Sequence, residues 1–349
     1  MPSTTPPVPT TATGRRRPRA AVAMKPDAAA ALLTPRSLAA FAEVCDLAPP
    51  PVLDDFTTDR ARATLADTEV LVTGWGCPPL DEAALAAAPR LRAVVHTAGS
   101  VRGHVTEACW ERGIEVSSAA AANALPVAEY TVAMILLSGK RVLERANDYR
   151  AARHRDDWLR TSAEVGNYGR TVGILSASLI GRRVVELLRP YDLRVLLHDP
   201  YVSGEEAEEL GVHLCGLAEL FARSDVVSVH TPLLPATQGL VSRELLTSMR
   251  PDGVLINTSR GAVIDQDALT DVLGQRRIRA ILDVTDPDTL PSEHPLWECE
   301  NALITPHLAG SQGNEWQRLV DLAVGEAGRW AAGDGFAHPV HRERLAFLA

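Results

Sequence analysis

The segment 168–181 constrains the fold most, because it reads as a buried strand that runs into a helix through a turn of small residues. A second apolar segment, 193–198, follows this helix and leads to Asp199. A strand, a small-residue turn, a helix and a second strand ending on an acid form the layout of a dinucleotide-binding βαβ unit. The sequence therefore predicts a doubly wound parallel sheet around this segment.

The turn itself departs from the G-x-G-x-x-G pattern. Ser176 and Ser178 occupy the first two glycine positions, and only Gly181 is kept. The backbone N–H groups of Leu179 and Ile180, at the start of the helix, are expected to bind the pyrophosphate. A serine held in the left-handed conformation would cost on the order of 1 kcal/mol. From the turn alone, a sheet that binds nothing stays an open alternative.

The acid at the end of the second strand is a more specific sign. A carboxylate at that place can accept both ribose hydroxyls of adenosine, and it repels the 2′-phosphate of NADP. Asp199 could instead be a solvated loop acid, but its spacing and its strand-end position favour the first interpretation. NAD is therefore the predicted cofactor. The contacts expected from this unit are Ser176, Ser178, Leu179, Ile180, Gly181 and Asp199.

Composition argues against several other classes of protein. The 349 residues carry a net charge of −9, which disfavours nucleic acid as a partner. The five cysteines are odd in number and form no C-x-x-C, so we expect neither a disulfide framework nor a metal site. No apolar run reaches the roughly 18 residues that span a membrane. These features predict a cytoplasmic protein, and the Pro-, Thr- and Arg-rich residues 1–18 predict a disordered tail rather than a twin-arginine signal.

Strand and helix patterns alternate along the chain, which predicts an α/β protein with two doubly wound parallel sheets. We expect a flavodoxin-like substrate domain over 19–122 and 309–349. A Rossmann domain that binds NAD, over 123–308, is inserted into it. A single connecting helix is predicted over about 128–150, and a last helix over about 314–332.

Polar side chains follow three predicted strands in succession. Arg260 follows one strand, the acids Asp283, Asp286 and Asp288 end or follow the next, and His307 follows the last. Because ligands bind outside the carboxyl ends of parallel strands, we expect these groups at the edge that carries the cofactor turn. An arginine, an acid and a histidine suit the reduction of a carbonyl beside a carboxylate. The arginine binds the carboxylate, the histidine gives a proton to the developing alkoxide, and the acid orients the histidine.

These motifs resemble the D-isomer-specific 2-hydroxyacid dehydrogenase family over roughly residues 20–335. The N-T-S-R-G stretch is similar to the motif of the family's catalytic arginine, which the resemblance places at Arg260. The T-P-H stretch is similar to the motif of its acid/base histidine, which the resemblance places at His307. The family's glutamate, five residues after the strand-end aspartate, corresponds to the shorter Asp288, with Asp286 as the less favoured alternative.

The resemblance also implies further contacts with cofactor and substrate. The stretch 97–101 is similar to the glycine loop whose backbone N–H groups receive the substrate carboxylate. The H-T-P-L stretch at 230–233 is similar to a segment that lies near the cofactor. The implied substrate-binding residues are Ala98, Gly99, Ser100 and Arg260. The remaining implied cofactor contacts are Thr231, Pro232, Thr258, Ser259, Asp283 and Gly310.

The resemblance implies an NAD-dependent oxidoreductase that transfers a hydride between nicotinamide and C2 of a small 2-keto or D-2-hydroxy acid. The serine-containing turn and the shortened acid leave a second interpretation open, a non-catalytic NAD-sensing or corepressor-like protein on the same fold. Formate dehydrogenase-like chemistry fits less well, because that resemblance would place a glutamine at Asp288. The family also implies a homodimer, which the broad apolar stripe of the connecting helix favours.

Overall fold

The computed structural model describes residues 17–49, 52–154, 161–162 and 164–347. Its contacts divide the chain into two compact units. The first unit consists of Met1–Asn123 and Gln312–Ala349, and the second consists of Ala124–Ser311. The tail predicted over residues 1–18 lies outside the described residues, except for its last two positions.

The first unit contains a five-stranded parallel sheet. Its strands are β1 (Arg19–Ala23), β2 (Asp46–Leu47), β3 (Val70–Thr73), β4 (Ala93–His96) and β5 (Glu115–Ser118). Its helices are α1 (Pro26–Leu32), α2 (Pro35–Val44), α3 (Asp59–Leu65), α4 (Glu82–Ala87), α5 (Glu107–Glu111) and α13 (Trp316–Ala332). The strand order is β2-β1-β3-β4-β5, which is the flavodoxin-like arrangement.

The middle strands of this sheet are buried along their whole length, as in other parallel sheets with helices on both faces. All residues of β3 and β4 are buried, as expected for strands covered by helices on both faces. One of the covering helices is α13, whose residues Val320, Ala323 and Ala327 pack in one apolar cluster with β1, β3 and β4. The apolar face of α13 thus covers the core of the first unit. Short 3₁₀ helices flank α13 at Gly313–Glu315 and Arg342–Phe347.

The second unit contains a seven-stranded parallel sheet. Its strands are β6 (Thr171–Leu175), β7 (Arg194–His198), β8 (His213–Leu214), β9 (Val226–Val229), β10 (Val254–Asn257), β11 (Arg279–Leu282) and β12 (Ala302–Ile304). Its helices are α6 (Ala120–Gly139), which begins just before the boundary between the units, α7 (Val142–Ala152), α8 (Leu179–Leu188), α9 (Gly204–Leu210), α10 (Leu217–Arg223), α11 (Arg243–Ser248) and α12 (Gln266–Gly274). Two 3₁₀ helices lie at Gly261–Val263 and Pro295–Glu298.

The strand order of the second sheet is β12-β11-β10-β9-β6-β7-β8. Counted from β6, this is the Rossmann order with one further strand at the β11 edge. The order changes direction between β6 and β9, so the crevice outside their carboxyl ends is where such sheets bind ligands. The prediction of two doubly wound parallel sheets is confirmed.

The prediction of one connecting helix over about 128–150 was wrong in two respects. Helix α6 starts earlier, at Ala120, and ends at Gly139. A separate helix, α7, follows after Arg141, whose φ of +52° breaks the helical path. The sequence signal for this break was Gly139, the last residue of α6.

The statement that no apolar run could span a membrane also needs correction. Helix α6 is long and apolar enough to cross a membrane by length and composition alone. Its residues Ala128, Val132 and Ile135 are buried in an apolar cluster of the second unit, and core helices commonly pass the same test. Part of its apolar surface therefore packs within the fold.

Candidate active site

The candidate site of the second unit lies where its parallel strands end. The strands β6, β7, β10, β11 and β12 run in the same direction, so the segments after them share one edge of the sheet. Each of these segments carries part of the predicted constellation. We describe them in chain order, from the turn after β6 to the turn after β12.

The turn after β6 keeps the path of a glycine turn although it contains serine. Ser176 has a φ of +81°, a conformation that favours glycine and stores strain in serine. Gly181 allows the helix to approach the turn, since a Cβ at this position would lie 2.0 Å from the carbonyl oxygen of Ser176. The substitutions have therefore left the geometry of the βα turn intact.

The two serine hydroxyls have internal partners. Ser178 is the N-cap of α8 and its Oγ accepts from the Gly181 N–H at 3.3 Å. Ser176 Oγ donates to Asp199 Oδ2 at 3.1 Å, and the Ala177 N–H donates to the same oxygen at 2.8 Å. The Asp199 side chain is thus held against the turn by two hydrogen bonds.

These residues fit the adenosine and pyrophosphate parts of a dinucleotide. The first-turn N–H groups of α8 have no acceptor within the helix, and the Ser178 cap serves only that of Gly181. The N–H groups of Leu179 and Ile180 therefore remain directed at a ligand beyond the helix start, where the helix dipole favours an anion. The partly buried Asp199 beside them is suited to accept ribose hydroxyls.

The segment after β9 carries Thr231 and Pro232. Thr231 is buried and its hydroxyl donates to the Leu175 carbonyl at 3.4 Å, which ties this segment to the end of β6. The preceding His230 is also buried, and its Nε2 lies 2.9 Å from Ser228 Oγ. Burial lowers the pKa of His230 to about 3, so this imidazole is neutral at physiological pH.

The loop after β10 is shaped by a side chain of its own strand. The N–H and hydroxyl of Ser259 donate to Asn257 Oδ1 at 3.0 and 2.8 Å, and Asn257 Nδ2 donates to the Arg260 carbonyl at 3.0 Å. The half-buried Arg260 Nη1 donates to the Ser259 carbonyl at 2.6 Å. Thr258 lies with its Oγ1 3.2 Å from Thr131 Oγ1 on α6. The asparagine at the end of the strand thus fixes the backbone that carries the arginine.

The buried Asp283, at the end of β11, holds the turn that carries the histidine. Its Oδ1 accepts from the Thr305 hydroxyl at 2.6 Å and from the Leu308 N–H at 2.9 Å. Its Oδ2 accepts from the Ala309 N–H at 2.9 Å. These bonds satisfy most of the carboxylate, so a direct contact with cofactor stays a prediction, as it does for the adjacent Gly310.

The structure brings His307 and Asp288 together. His307 Nδ1 lies 3.2 Å from Asp288 Oδ1 and 3.5 Å from Oδ2, and both side chains are about half exposed or more. The shorter acid therefore reaches the ring without an intervening water. His307 has a φ of +52°, an unusual conformation for a residue with a side chain, and its N–H donates to the Asp283 carbonyl at 3.0 Å.

Asp286, the alternative partner, is held elsewhere through its backbone. Its N–H donates to Gln266 Oε1 at 2.8 Å, and Gln266 Nε2 donates to its carbonyl at 2.6 Å. This pair of hydrogen bonds fixes the loop after β11 against the start of α12. The sequence did not single out Gln266, although an amide directly after Asp265, the N-cap of α12, was a visible signal.

The predicted substrate loop belongs to the first unit and follows β4. Ala98 is buried, and Gly99 and Ser100 are partly buried. The Ala119 N–H donates to the Ala98 carbonyl at 3.0 Å, which fixes one peptide of the loop. Two buried histidines, His96 and His104, flank this loop and were not singled out from the sequence, although their placement on either side of it was visible.

The chain is similar to known proteins both in sequence and in structure. The family model described as "D-isomer specific 2-hydroxyacid dehydrogenase, NAD binding domain" matches residues 132–309. D-3-phosphoglycerate dehydrogenase of Mycobacterium tuberculosis is 32% identical over 282 residues, which cover 80% of this chain and 52% of that protein. Glyoxylate reductase of Aeropyrum pernix is 30% identical over 308 residues, which cover 86% of this chain and 90% of that protein.

The chain thus spans about half the length of the phosphoglycerate dehydrogenases that it matches. A solved structure, the TT0316 protein from Thermus thermophilus, superposes with a TM-score of 0.70 at 28% identity, covering 93% of this chain and all of that one. The matched model describes an NAD-binding domain, and it covers the turn, Asp199 and the segments that carry Arg260, Asp288 and His307. The prediction of NAD as the cofactor is confirmed.

Proposed function

Since the chain belongs to the D-isomer-specific 2-hydroxyacid dehydrogenase family, we propose that it is an NAD-dependent oxidoreductase acting at C2 of a small 2-keto or D-2-hydroxy acid. In the reducing direction the substrate carbonyl would gain a hydride at C2 and a proton at oxygen. The cofactor supplies the hydride. The protein must bind the substrate carboxylate, orient the carbonyl and supply the proton.

The observation that carries this proposal is the 3.2 Å contact between His307 Nδ1 and Asp288 Oδ1. A carboxylate that accepts from Nδ1–H fixes the tautomer, so the other ring nitrogen, Nε2, is the one available to a substrate. In reduction, Nε2 is the ring atom that would give the proton to the substrate oxygen. His307 is the proposed acid/base, and Asp288 is its orienting partner.

Arg260 is the proposed binding group for the substrate. A guanidinium makes charge-assisted bonds to a carboxylate and to the adjacent carbonyl oxygen, where it stabilises the negative charge that develops during hydride transfer. The Asn257-centred turn gives this arginine a fixed backbone, which limits the reorganisation that binding requires. The loop 97–101 of the first unit is proposed to bind the substrate through its own backbone N–H donors.

We further propose that the active form is a homodimer in the cytoplasm. Helix α7, all of whose residues the structure describes, buries none of them within this chain. Val142, Leu143 and Tyr149 are apolar side chains exposed on it. A second copy is a suitable cover for such a helix, because exposed apolar side chains on one element favour association. The five free thiols are compatible with a reducing compartment.

A matched pair of variants tests the catalytic assignment. Asp288→Asn should lower kcat by about 10²-fold or more, because an asparagine amide does not hold the His307 ring in the tautomer that an accepting carboxylate imposes. Asp286→Asn, on the same loop but held by Gln266 through its backbone, should leave kcat nearly unchanged. The measurement is NADH oxidation, followed by absorbance, across a panel of small 2-keto acids. Arg260→Ala serves as the reference that binds NADH without turnover.

Two outcomes would count against the proposal. Equal loss in both aspartate variants would show that the loop, and not the Asp288 carboxylate, is what matters. NADH binding by the wild-type protein with no oxidation by any 2-keto acid would favour the non-catalytic alternative that the sequence left open.

A further inference from the structure

A buried hydrogen-bond cluster lies directly beneath the loop 97–103 in the first unit. Thr73, at the end of β3, places its Oγ1 2.9 Å from His96 Nδ1 and 3.1 Å from His104 Nε2. The two imidazole rings lie 4.6 Å apart, and both side chains are almost completely buried. One hydroxyl therefore joins the residue before the loop, His96, to the residue after it, His104.

The ring nitrogens can be assigned as donors and acceptors. Burial, with the neighbouring His104 as a second cause, lowers the pKa of His96 to about 3, and burial lowers the pKa of His104 to about 4, so both rings are neutral near pH 7. A backbone hydrogen bond at Ser100 opposes this effect on His96, which identifies the Ser100 carbonyl as an acceptor from that ring. Because Nδ1 of His96 faces Thr73, the donor to Ser100 is Nε2.

The hydrogen bonds of the cluster then all run in one direction, from donor to acceptor. A neutral His96 that donates from Nε2 must accept at Nδ1, so the Thr73 hydroxyl donates to it. The hydroxyl has only one proton, so His104 Nε2–H donates to Thr73 Oγ1. The chain of donors runs from His104 through Thr73 and His96 to the Ser100 carbonyl. The Thr73 carbonyl adds a second fixed point, because it accepts from both the N–H and the hydroxyl of Thr97 at 2.8 Å.

This direction determines where the loop points its N–H groups. The C=O and N–H of a trans peptide unit face opposite sides. A Ser100 carbonyl turned toward the buried ring leaves the Val101 N–H facing away from it. The Ala98 carbonyl, which accepts from Ala119, likewise leaves the Gly99 N–H facing the other way. The Gly99 and Val101 N–H groups are thus turned away from the carbonyls that the fold holds, where they can donate to an anion.

We propose that the Thr73–His96–His104 cluster is a positioning device that holds the loop 97–101 in the orientation needed to receive the substrate carboxylate. The proposal rests on the function proposed above. Thr73, His96 and His104 touch neither substrate nor cofactor in this role. They act through the backbone of Thr97 and Ser100. Because both histidine rings are neutral, the cluster places no charge next to the loop.

The test compares Thr73→Val, which removes the hydroxyl at nearly constant volume, with Thr73→Ser, which keeps it. Thr73→Val should raise the KM for the 2-keto acid about tenfold or more, because the loop loses the orientation that binds the substrate. The kcat should stay within about threefold and the NADH affinity should be unchanged, because the groups that carry out the reaction and bind the cofactor are not altered. Thr73→Ser should stay close to the wild type. Thr68→Val is the control: it removes another buried hydroxyl of the first unit, which donates to the Thr64 carbonyl, and should lower Tm without changing KM.

A ¹⁵N spectrum of the histidine rings tests the cluster without any turnover. Both His96 and His104 should appear at pH 7 as neutral rings protonated on Nε2, and the signals of both should shift in Thr73→Val. A ring protonated on Nδ1, or an unchanged KM in Thr73→Val, would overturn the proposal. Absence of turnover in the wild type would contradict the proposed function instead, and the spectrum would still decide whether the cluster has the proposed direction.

Discussion

At the residue scale, Ser176 shows how a degraded motif can keep its geometry. The serine adopts the positive φ of the glycine it replaces, and its hydroxyl binds Asp199 Oδ2. That oxygen also accepts from the Ala177 N–H, so two internal donors compete with the ribose hydroxyls of a cofactor. The strain and the competition are separate costs of the same side chain, and they can be measured separately.

Ser176→Gly and Ser176→Ala separate the two costs. Both remove the hydroxyl and free one acceptor position of Asp199, so both should tighten NADH binding by about two- to tenfold. Only the glycine variant also relieves the positive φ, so its Tm should exceed that of the alanine variant. Fluorescence titration with NADH and thermal unfolding provide the two readouts. Weaker binding in both variants would show that the hydroxyl assists the cofactor.

At the element scale, the segments after β10 and β11 depend on each other. Asn257 shapes the loop that carries Arg260, and Gln266 fixes the loop that leads to Asp288. Gly261 lets the two loops meet, since a Cβ there would lie 2.1 Å from the carbonyl carbon and oxygen of Thr285. These neighbours are backbone atoms, so they cannot rotate away as a flexible side chain could.

Gly261→Ala should therefore destabilise the second unit by roughly 1–3 kcal/mol and impair turnover, because the Arg260 loop must move away from Thr285. Gly274→Ala, at the end of α12, is the matched control. Apart from its chain neighbours and the backbone of its own helix, no atom of the described residues lies within 4 Å of its ideal Cβ, so this variant should be neutral or slightly more stable. Urea unfolding and kcat/KM measure both effects. Normal activity in Gly261→Ala would show that the two loops separate without cost to the site.

At the scale of the whole molecule, buried neutral histidines couple stability to pH. His96, His104 and His230 have pKa values lowered to about 3, 4 and 3, chiefly by burial. In the unfolded chain a histidine titrates near its ordinary value of about 6.5. Below that pH the unfolded state binds more protons than the folded state, so stability falls as pH decreases. Above it neither state is protonated at these rings, and their contribution is constant.

We expect the urea midpoint to be nearly flat between about pH 8 and 7 and to decrease between about pH 6.5 and 5.5. Each of the three rings contributes up to about 1.4 kcal/mol per pH unit in the lower range. His104→Gln, which keeps a side-chain N–H donor but does not titrate, should reduce the slope by one such contribution. Equal urea midpoints at about pH 6.5 and 5.5 in the wild type would contradict the burial of these three histidines as neutral rings.

Local spacing was enough to predict the order of elements and much of the candidate site. The spacing from the turn to Asp199, and the positions of Arg260, the acids after β11 and His307 after successive strands, follow from parallel-strand geometry. The preference for Asp288 among those acids came from the family resemblance. The break between α6 and α7 was not predicted, although Gly139, two residues before the left-handed Arg141, is a residue type that often ends a helix. The roles of Asp283 and Gln266 were also hidden, since their partners lie about 20 residues or more away.

By itself, therefore, the sequence determined two parallel sheets, an NAD-binding turn and the polar residues at the carboxyl edge of the second sheet. It could do so because hydrophobic period and strand-to-strand spacing are local properties of the chain. Only the tertiary structure decided that Asp288 and not Asp286 contacts His307, that Ser176 closes onto Asp199, and that Thr73 joins His96 to His104. Such pairings depend on side-chain direction and strand register across the sheet, and residue spacing along the chain does not specify them.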